Sequence, residues 1–169
     1  MSSLYKEIYG DVLNPVVEPE YSKLVIIPHI CNNSGKFGAG FAKALADRLP
    51  VVRKQYMDLW QYTPLGGCQF VEIKSLLPMD TYVVNMIAQS GVRGPDNPTP
   101  IRYEALIECM ARVREFIFKK EGLEAPTSSI HCPKFGSGLA GGNWPFIKAL
   151  IEEMWSGNCI PVTVYELQK

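Results

Sequence analysis

Residues 26–41 (IIPHICNNSGKFGAGF) constrain the fold more than any other part of the chain. An apolar run passes into a polar, glycine-rich loop, and the loop passes directly into an amphipathic segment that begins at Phe41. Strand, loop and helix in that order leave unpaired backbone N–H groups at the end of a strand, the geometry that holds a phosphate or pyrophosphate. Residues 133–144 (PKFGSGLAGGNW) repeat the plan near the other end of the chain. Two such loops can clasp one nucleotide-like diphosphate.

The remaining sequence fits around these units. Residues 4–9 alternate enough for a short strand, and Gly10-Asp11 ends it with turn chemistry. Residues 23–30 (KLVIIPHI) read as a strand buried on both faces, with Pro28, which cannot donate to a ladder, expected at a bulge or near the strand end. Ala42, Leu45, Ala46 and Leu49 form a helical stripe that Pro50 interrupts, and Val52, Tyr56, Leu59 and Trp60 continue it. Strands are expected at 68–75 and 81–87. Residues 88–100 (AQSGVRGPDNPTP) make a long irregular loop that Thr99-Pro100 should close as the cap and first residue of a helix. That helix carries Leu106, Cys109 or Met110, Val113 and Ile117 on one face and stops near Gly122. A strand at 129–134, a helix from Asn143-Trp144-Pro145 to Gly157, and a strand at 160–167 follow. Strands alternating with helices predict one three-layer α/β domain over residues 1–169. Its largely parallel sheet would carry a ligand site beyond the carboxyl ends of the strands.

Composition narrows the function classes. Lys plus Arg and Asp plus Glu both number 17, so no overall positive field draws the chain to nucleic acid or an anionic membrane. Any phosphate must be held by local geometry. The five cysteines and two histidines show neither a zinc pattern nor a disulfide framework. No stretch reaches transmembrane length, and the first residues lack the charged and apolar regions of a leader, so a cytoplasmic protein is expected. No metal or cofactor is called for.

Gly136-Ser137-Gly138-Leu139-Ala140-Gly141 matches G-x-G-x-x-G, and Glu166 follows where a ribose-binding acid could sit. A dinucleotide fold needs further βαβ units after its fingerprint, and only one helix and one strand remain, so the phosphate-loop reading outweighs a nicotinamide one. Asn32 and Asn33 can hydrogen-bond sugar hydroxyls or merely shape a turn, and the glycines around them favour ligand contact. His29 is either a neutral core histidine or an acid/base beside that loop. Asp11 has a turn as its commonest use.

These segments together resemble a macrodomain. The resemblance rests on Gly10-Asp11 after the first strand, HICNNSGKFGAGFA, YVVNMIAQ, PKFGSGLAGGNW and the closing VTVYEL, in the family's order over nearly the whole chain. It is greatest to the branch of terminal ADP-ribose protein glycohydrolase, yeast ADP-ribose 1''-phosphate phosphatase and phage-encoded members. It implies a six-stranded mixed sheet between helices, with the first strand antiparallel to its neighbour. Asp11 would receive the adenine amino group, and Asn33, with Asn32 beside it, would face the distal ribose. Lys36, Phe37, Gly38, Ala39 and Gly40 would hold the diphosphate together with Phe135, Gly136, Ser137, Gly138, Leu139, Ala140 and Gly141.

The resemblance implies ADP-ribose or a derivative as ligand, with an ADP-ribosylated protein as a further partner and a monomer as the working unit. His29 matches a histidine of the phosphatase, which makes His29 and Asn33 the candidate catalytic pair for hydrolysis of ADP-ribose 1''-phosphate. A non-catalytic ADP-ribose-binding module is the alternative. The glycohydrolase's lysine and aspartate align with Ala88 or Gln89 and with Ala140. Lysine-dependent removal of ADP-ribose from proteins is therefore not expected.

Overall fold

The computed structural model describes residues 4–122 and 127–168. Residues 1–3, part of the stretch read for a leader, lie outside them. Apolar residues on both faces make β2 (Leu24–Asn32) the centre of the molecule. Leu24 and Ile26 face one helical layer, while Val25, Ile27 and Cys31 face the other. Around it lie β1 (Tyr5–Tyr9), β3 (Cys68–Glu72), β4 (Asp80–Gln89), β5 (Ser129–Pro133) and β6 (Val162–Glu166), giving a six-stranded sheet in the order β1-β6-β5-β2-β4-β3. Helices α1 (Phe41–Arg48) and α2 (Pro50–Leu59) cover one face through Leu45, Val52 and Tyr56. On the other face α3 (Tyr103–Glu121) and α4 (Trp144–Met154) bury Leu106, Met110, Ile147 and Ile151. This is the expected αβα sandwich with a mixed sheet. No helix among the described residues is long and apolar enough to cross a membrane.

Four expectations need correction. The antiparallel strand is not the first: β1 runs parallel to β6, and β3 is the strand that opposes its neighbour, β4. A short turn joins β3 to β4 and forces the chain to reverse, whereas the longer connection from β1 to β2 leaves β1 free to run with the sheet. Pro28 lies mid-strand, opposite Val84 of β4, and the register shift falls later, between Cys31 and Asn32. The missing donor is tolerated because the recorded ladder to β5 ends at Ile26. Thr99-Pro100 does not start α3, because the chain is held extended through Arg102: Ile101 N donates to Ala140 O (3.1 Å) and Arg102 N to Ala88 O (2.8 Å). Gly157 does not end α4, which stops at Met154, and the chain turns instead at Cys159 with φ 66°.

The segment between β1 and β2 is fastened by one directional chain of hydrogen bonds. Val16 N donates to Tyr165 Oη (3.0 Å), and that hydroxyl donates to His131 Nδ1 (2.8 Å). His131 Nε2 then donates to Ser129 Oγ (2.9 Å), which donates to Tyr21 O (2.9 Å). Every donor has one acceptor, so His131 is neutral, and burial holds its pKa down at about 4.

Candidate functional site

Parallel strands β2, β4 and β5 end on the same side, and the loops that leave them enclose a cleft of about 440 Å³. One wall is Lys36–Ala42 after β2; another is Lys134–Phe135–Gly136 with Gly138–Leu139–Ala140 after β5. Gln89, Val92 and Arg93 close the β4 side, and His29, Ile30, Cys31 and Asn32 form the floor.

The first loop owes its shape to Asn32. Its Oδ1 gathers Ser34 N (3.0 Å), Ser34 Oγ (3.0 Å), Lys36 N (3.2 Å) and the Tyr56 hydroxyl (2.7 Å), while its Nδ2 donates to Lys36 O (2.8 Å). Tyr56 in turn accepts from Gly35 N (3.1 Å). A buried side chain thus replaces the ladder that ends here. Beyond Lys36 the amides of Phe37, Gly38, Ala39 and Gly40 have no partner among the described residues, and Gly40 enters α1 with no side-chain cap. These are the orphan donors of a loop and helix start.

Apolar packing shapes the second loop. Gly136, at φ 80°, would bring a Cβ to 2.9 Å from Ile101 and Ile147, and Gly142 would bring one to 2.5 Å from Gly136 O. Gly142 N donates to that oxygen (2.7 Å), and Gly141 N donates to Gly138 O (3.0 Å). The amides of Gly136, Ser137, Gly138, Leu139 and Ala140 are again unpartnered among the described residues. At Gly38 and Gly138 a Cβ would meet nothing within 4 Å. The protein's own packing does not require glycine at either place.

His29 lies on the floor, 2 % exposed, with its ring edge-on to Phe37 and Phe41. Its Nε2 is 2.5 Å from Asn85 Oδ1, Asn85 Nδ2 donates to Gln69 Oε1 (3.1 Å), and Gln69 Nε2 donates to Thr63 Oγ1 (3.2 Å). The amide order assigns the proton to Nε2 and the lone pair to Nδ1, which lies 4.0 Å from Cys31 Sγ. Burial lowers the His29 pKa to about 4, against the opposing bond to Asn85, and burial raises that of the Cys31 thiol. Both groups are uncharged at neutral pH.

No family model matches the chain. A structure of a protein of unknown function from Bacteroides thetaiotaomicron is 33% identical, covers 96% of this chain and 98% of its own, and superposes with a TM-score of 0.82. The structure of a macrodomain protein from Streptomyces coelicolor is 31% identical, with 97% and 99% of the two chains covered and a TM-score of 0.76. The chain belongs to the macrodomain family. The ADP-ribose 1''-phosphate phosphatase of Lodderomyces elongisporus is 19% identical over 134 residues, which are 78% of this chain and 82% of that protein.

In this macrodomain most of the residues read from the sequence meet at one place. His29, Asn32, Lys36, Phe37, Gly38, Ala39, Gly40, Phe135, Gly136, Gly138, Leu139 and Ala140 all line the cleft. Ser137, Gly141, Asn33 and Asp11 are not in its lining. Ser137 Oγ turns back to Lys134 O (2.9 Å), and Gly141, at φ 72°, packs against Pro98 and Thr99. Asn33 Oδ1 accepts from Gly91 N (2.9 Å) and so anchors the 88–100 loop. Asp11 makes a turn, accepting from Leu13 N (2.9 Å), and pairs with Arg48 (2.5 Å). Gln89 and Ala140 both line the cleft beside Ile101, which bridges to Gln89 and donates its N–H to Ala140 O (3.1 Å), and none of Ala88, Gln89 and Ala140 supplies the amine or the carboxylate that the resemblance expects. Sequence reasoning missed Cys31, Val92, Arg93 and Lys134 as lining residues. Arg93 had a signal, as the single basic residue in the irregular 88–100 stretch.

Proposed function

We propose that this macrodomain binds ADP-ribose, or a molecule that carries it, across the cleft. One observation carries the reading: two loops with unpartnered amides, Phe37–Gly40 and Gly136–Ala140, line one cavity through all of these residues but Ser137, and open space stands where Gly38 and Gly138 lack a side chain. Backbone donors in that arrangement suit a diphosphate in any protein of balanced charge. The family name and the phosphatase relative supply the rest of the ligand. Titration calorimetry should register ADP-ribose binding, and Gly138→Val should weaken it at least about tenfold while shifting Tm by less than about 2 °C, because the added methyls fill the ligand's place and touch little else. Equal affinity of the variant and parent would sink the reading.

A second reading, hydrolysis of ADP-ribose 1''-phosphate, is favoured by the similarity to the Lodderomyces elongisporus phosphatase and by His29 in the cleft floor. Loop amides would stabilise charge on the phosphate, and neutral His29 would take at Nδ1 a proton from the water that attacks phosphorus, then return it to the ribose oxygen as the bond from that oxygen to phosphorus breaks. A low pKa makes it a weak base, so slow turnover is expected. Phosphate release that is unchanged in His29→Gln would remove the histidine from the reaction.

A further inference from the structure

A second groove, of about 430 Å³, lies at the β3 edge of the sheet, where Cys68, Phe70, Arg112, Phe116 and Lys119 are among its walls, and it shares no lining residue with the ligand cleft. Behind it two cysteines meet where β3 packs against α3. Cys68 Sγ donates to Cys109 O (3.5 Å), and Cys109 Sγ faces Gly67 O (3.4 Å), the carbonyl of the residue before Cys68. The two thiols are also within hydrogen-bond reach of each other. They stand 41 residues apart in the chain, and both are free.

The pair is asymmetric. Cys109 is fully buried, whereas Cys68 is half-buried and opens on the groove. The hydrogen bond with Cys68 and burial hold the proton on Cys109, so Cys109 does not react first. Arg112, whose Nε donates to Gly66 O (3.0 Å), brings a positive charge to the same groove, and a cation beside a thiol promotes its reaction. Loss of both S–H protons strands no acceptor: Gly67 O already accepts from Ile87 N (2.9 Å), and Cys109 O lies inside α3. A sulfur–sulfur bond of about 2.05 Å requires β3 and α3 to draw together, and β3, with β4 as its one neighbour in the sheet, is free on its outer side to move.

We propose that Cys68 and Cys109 form a reversible dithiol site, which a small-molecule disulfide oxidises through the groove. The Cys68 thiolate attacks one sulfur of the reagent, which gives a mixed disulfide and releases the first reagent thiol with the proton that Cys68 lost. Cys109, freed of its hydrogen bond to Cys68, then attacks the Cys68 sulfur and expels the second reagent thiol, which takes the Cys109 proton. Two protein thiols are oxidised, one reagent disulfide is reduced to two thiols, and edge strand β3 becomes bonded to α3.

Glutathione disulfide is the probe, applied to the whole native protein and read by intact mass, peptide mapping and thermal unfolding. Mapping should join Cys68 to Cys109, with a loss of about two mass units for the link itself. Glutathione on the exposed Cys159 is counted separately by the mapping. Tm should rise by about 5 °C or more, as expected for closing a loop of this length, and dithiothreitol should reverse both changes. The link should form faster as pH is raised from about 7 to 9, because Cys109 must lose its proton. Cys109→Ser should stop the reaction at glutathione on Cys68. Glutathione retained on Cys68 of the unsubstituted protein, a link between any other pair, thiols that stay free at both positions, or a link without a rise in Tm overturns the proposal. None of these readouts depends on the ADP-ribose reading.

Discussion

The two glycine-rich loops reach the same cleft by different means. Behind β2, a buried amide does the shaping, with Asn32 and Tyr56 collecting the loop's polar groups. Behind β5, aliphatic side chains do it, with Ile30, Ile101 and Ile147 closing on backbone that only glycine can offer them. Each loop therefore contains two kinds of glycine. Gly35, Gly136 and Gly142 are required by the protein's interior, and Gly38 and Gly138 are not. A shared richness in glycine conceals unequal physics, and the two loops should fail differently.

The largest effect is expected where the loop is packed. Gly142→Ala would set a methyl against the Gly136 carbonyl, where backbone and not a flexible side chain must yield, and should cost about 3 kcal/mol or more in urea unfolding. A loss under about 1 kcal/mol would mean that the second loop is softer than its packing suggests. Asn32→Ala should cost less, about 2 kcal/mol, since it strands the Ser34 and Lys36 amides that the side chain had satisfied. Its signature is local: amide exchange should accelerate through residues 34–36 and stay slow through 136–142. Acceleration in both loops would dissolve the distinction between them.

Acid supplies the mildest and most gradual test. His29 and His131 have folded pKa values of about 4, below the ordinary 6.5, so each is neutral in the native state and charges more readily when unfolded. Their contribution to stability is complete above about pH 6.5 and is lost as pH falls toward 4. His29 lies under the first loop, and His131 fastens the segment before β2, so acid should loosen these polar regions before the packed second loop. Exchange measured between pH 6.5 and 4.5 checks the order. Uniform loosening would count against it.

Much of this plan was legible in the chain. Periodicity placed the helices and strands because burial on one face or both leaves a pattern in sequence, and the two phosphate loops announced themselves by glycine between an apolar run and an amphipathic one. Pairing direction was less legible, because β1 lies beside β6 only after the whole sheet has assembled. The direction in which Asn32 and Asn33 point was not legible at all. Both amides suit a sugar, and only the folded loop shows Asn32 spent on its own backbone and Asn33 on Gly91. His29 was ambiguous for the same reason: Asn85, which fixes its tautomer, is distant in sequence and adjacent only across the sheet.

One contact has an optical consequence. Gly35 leaves so little room that a Cβ there would lie 2.8 Å from the Trp60 indole, so the first loop and that ring touch directly. Trp155, by contrast, is fully buried and donates to Met110 O (3.0 Å) on the far side of the sheet. The molecule thus carries one fluorophore in contact with its first candidate ligand loop and a second, buried one that meets the other loop edge-on through Phe135 (ring centroids 6.0 Å apart).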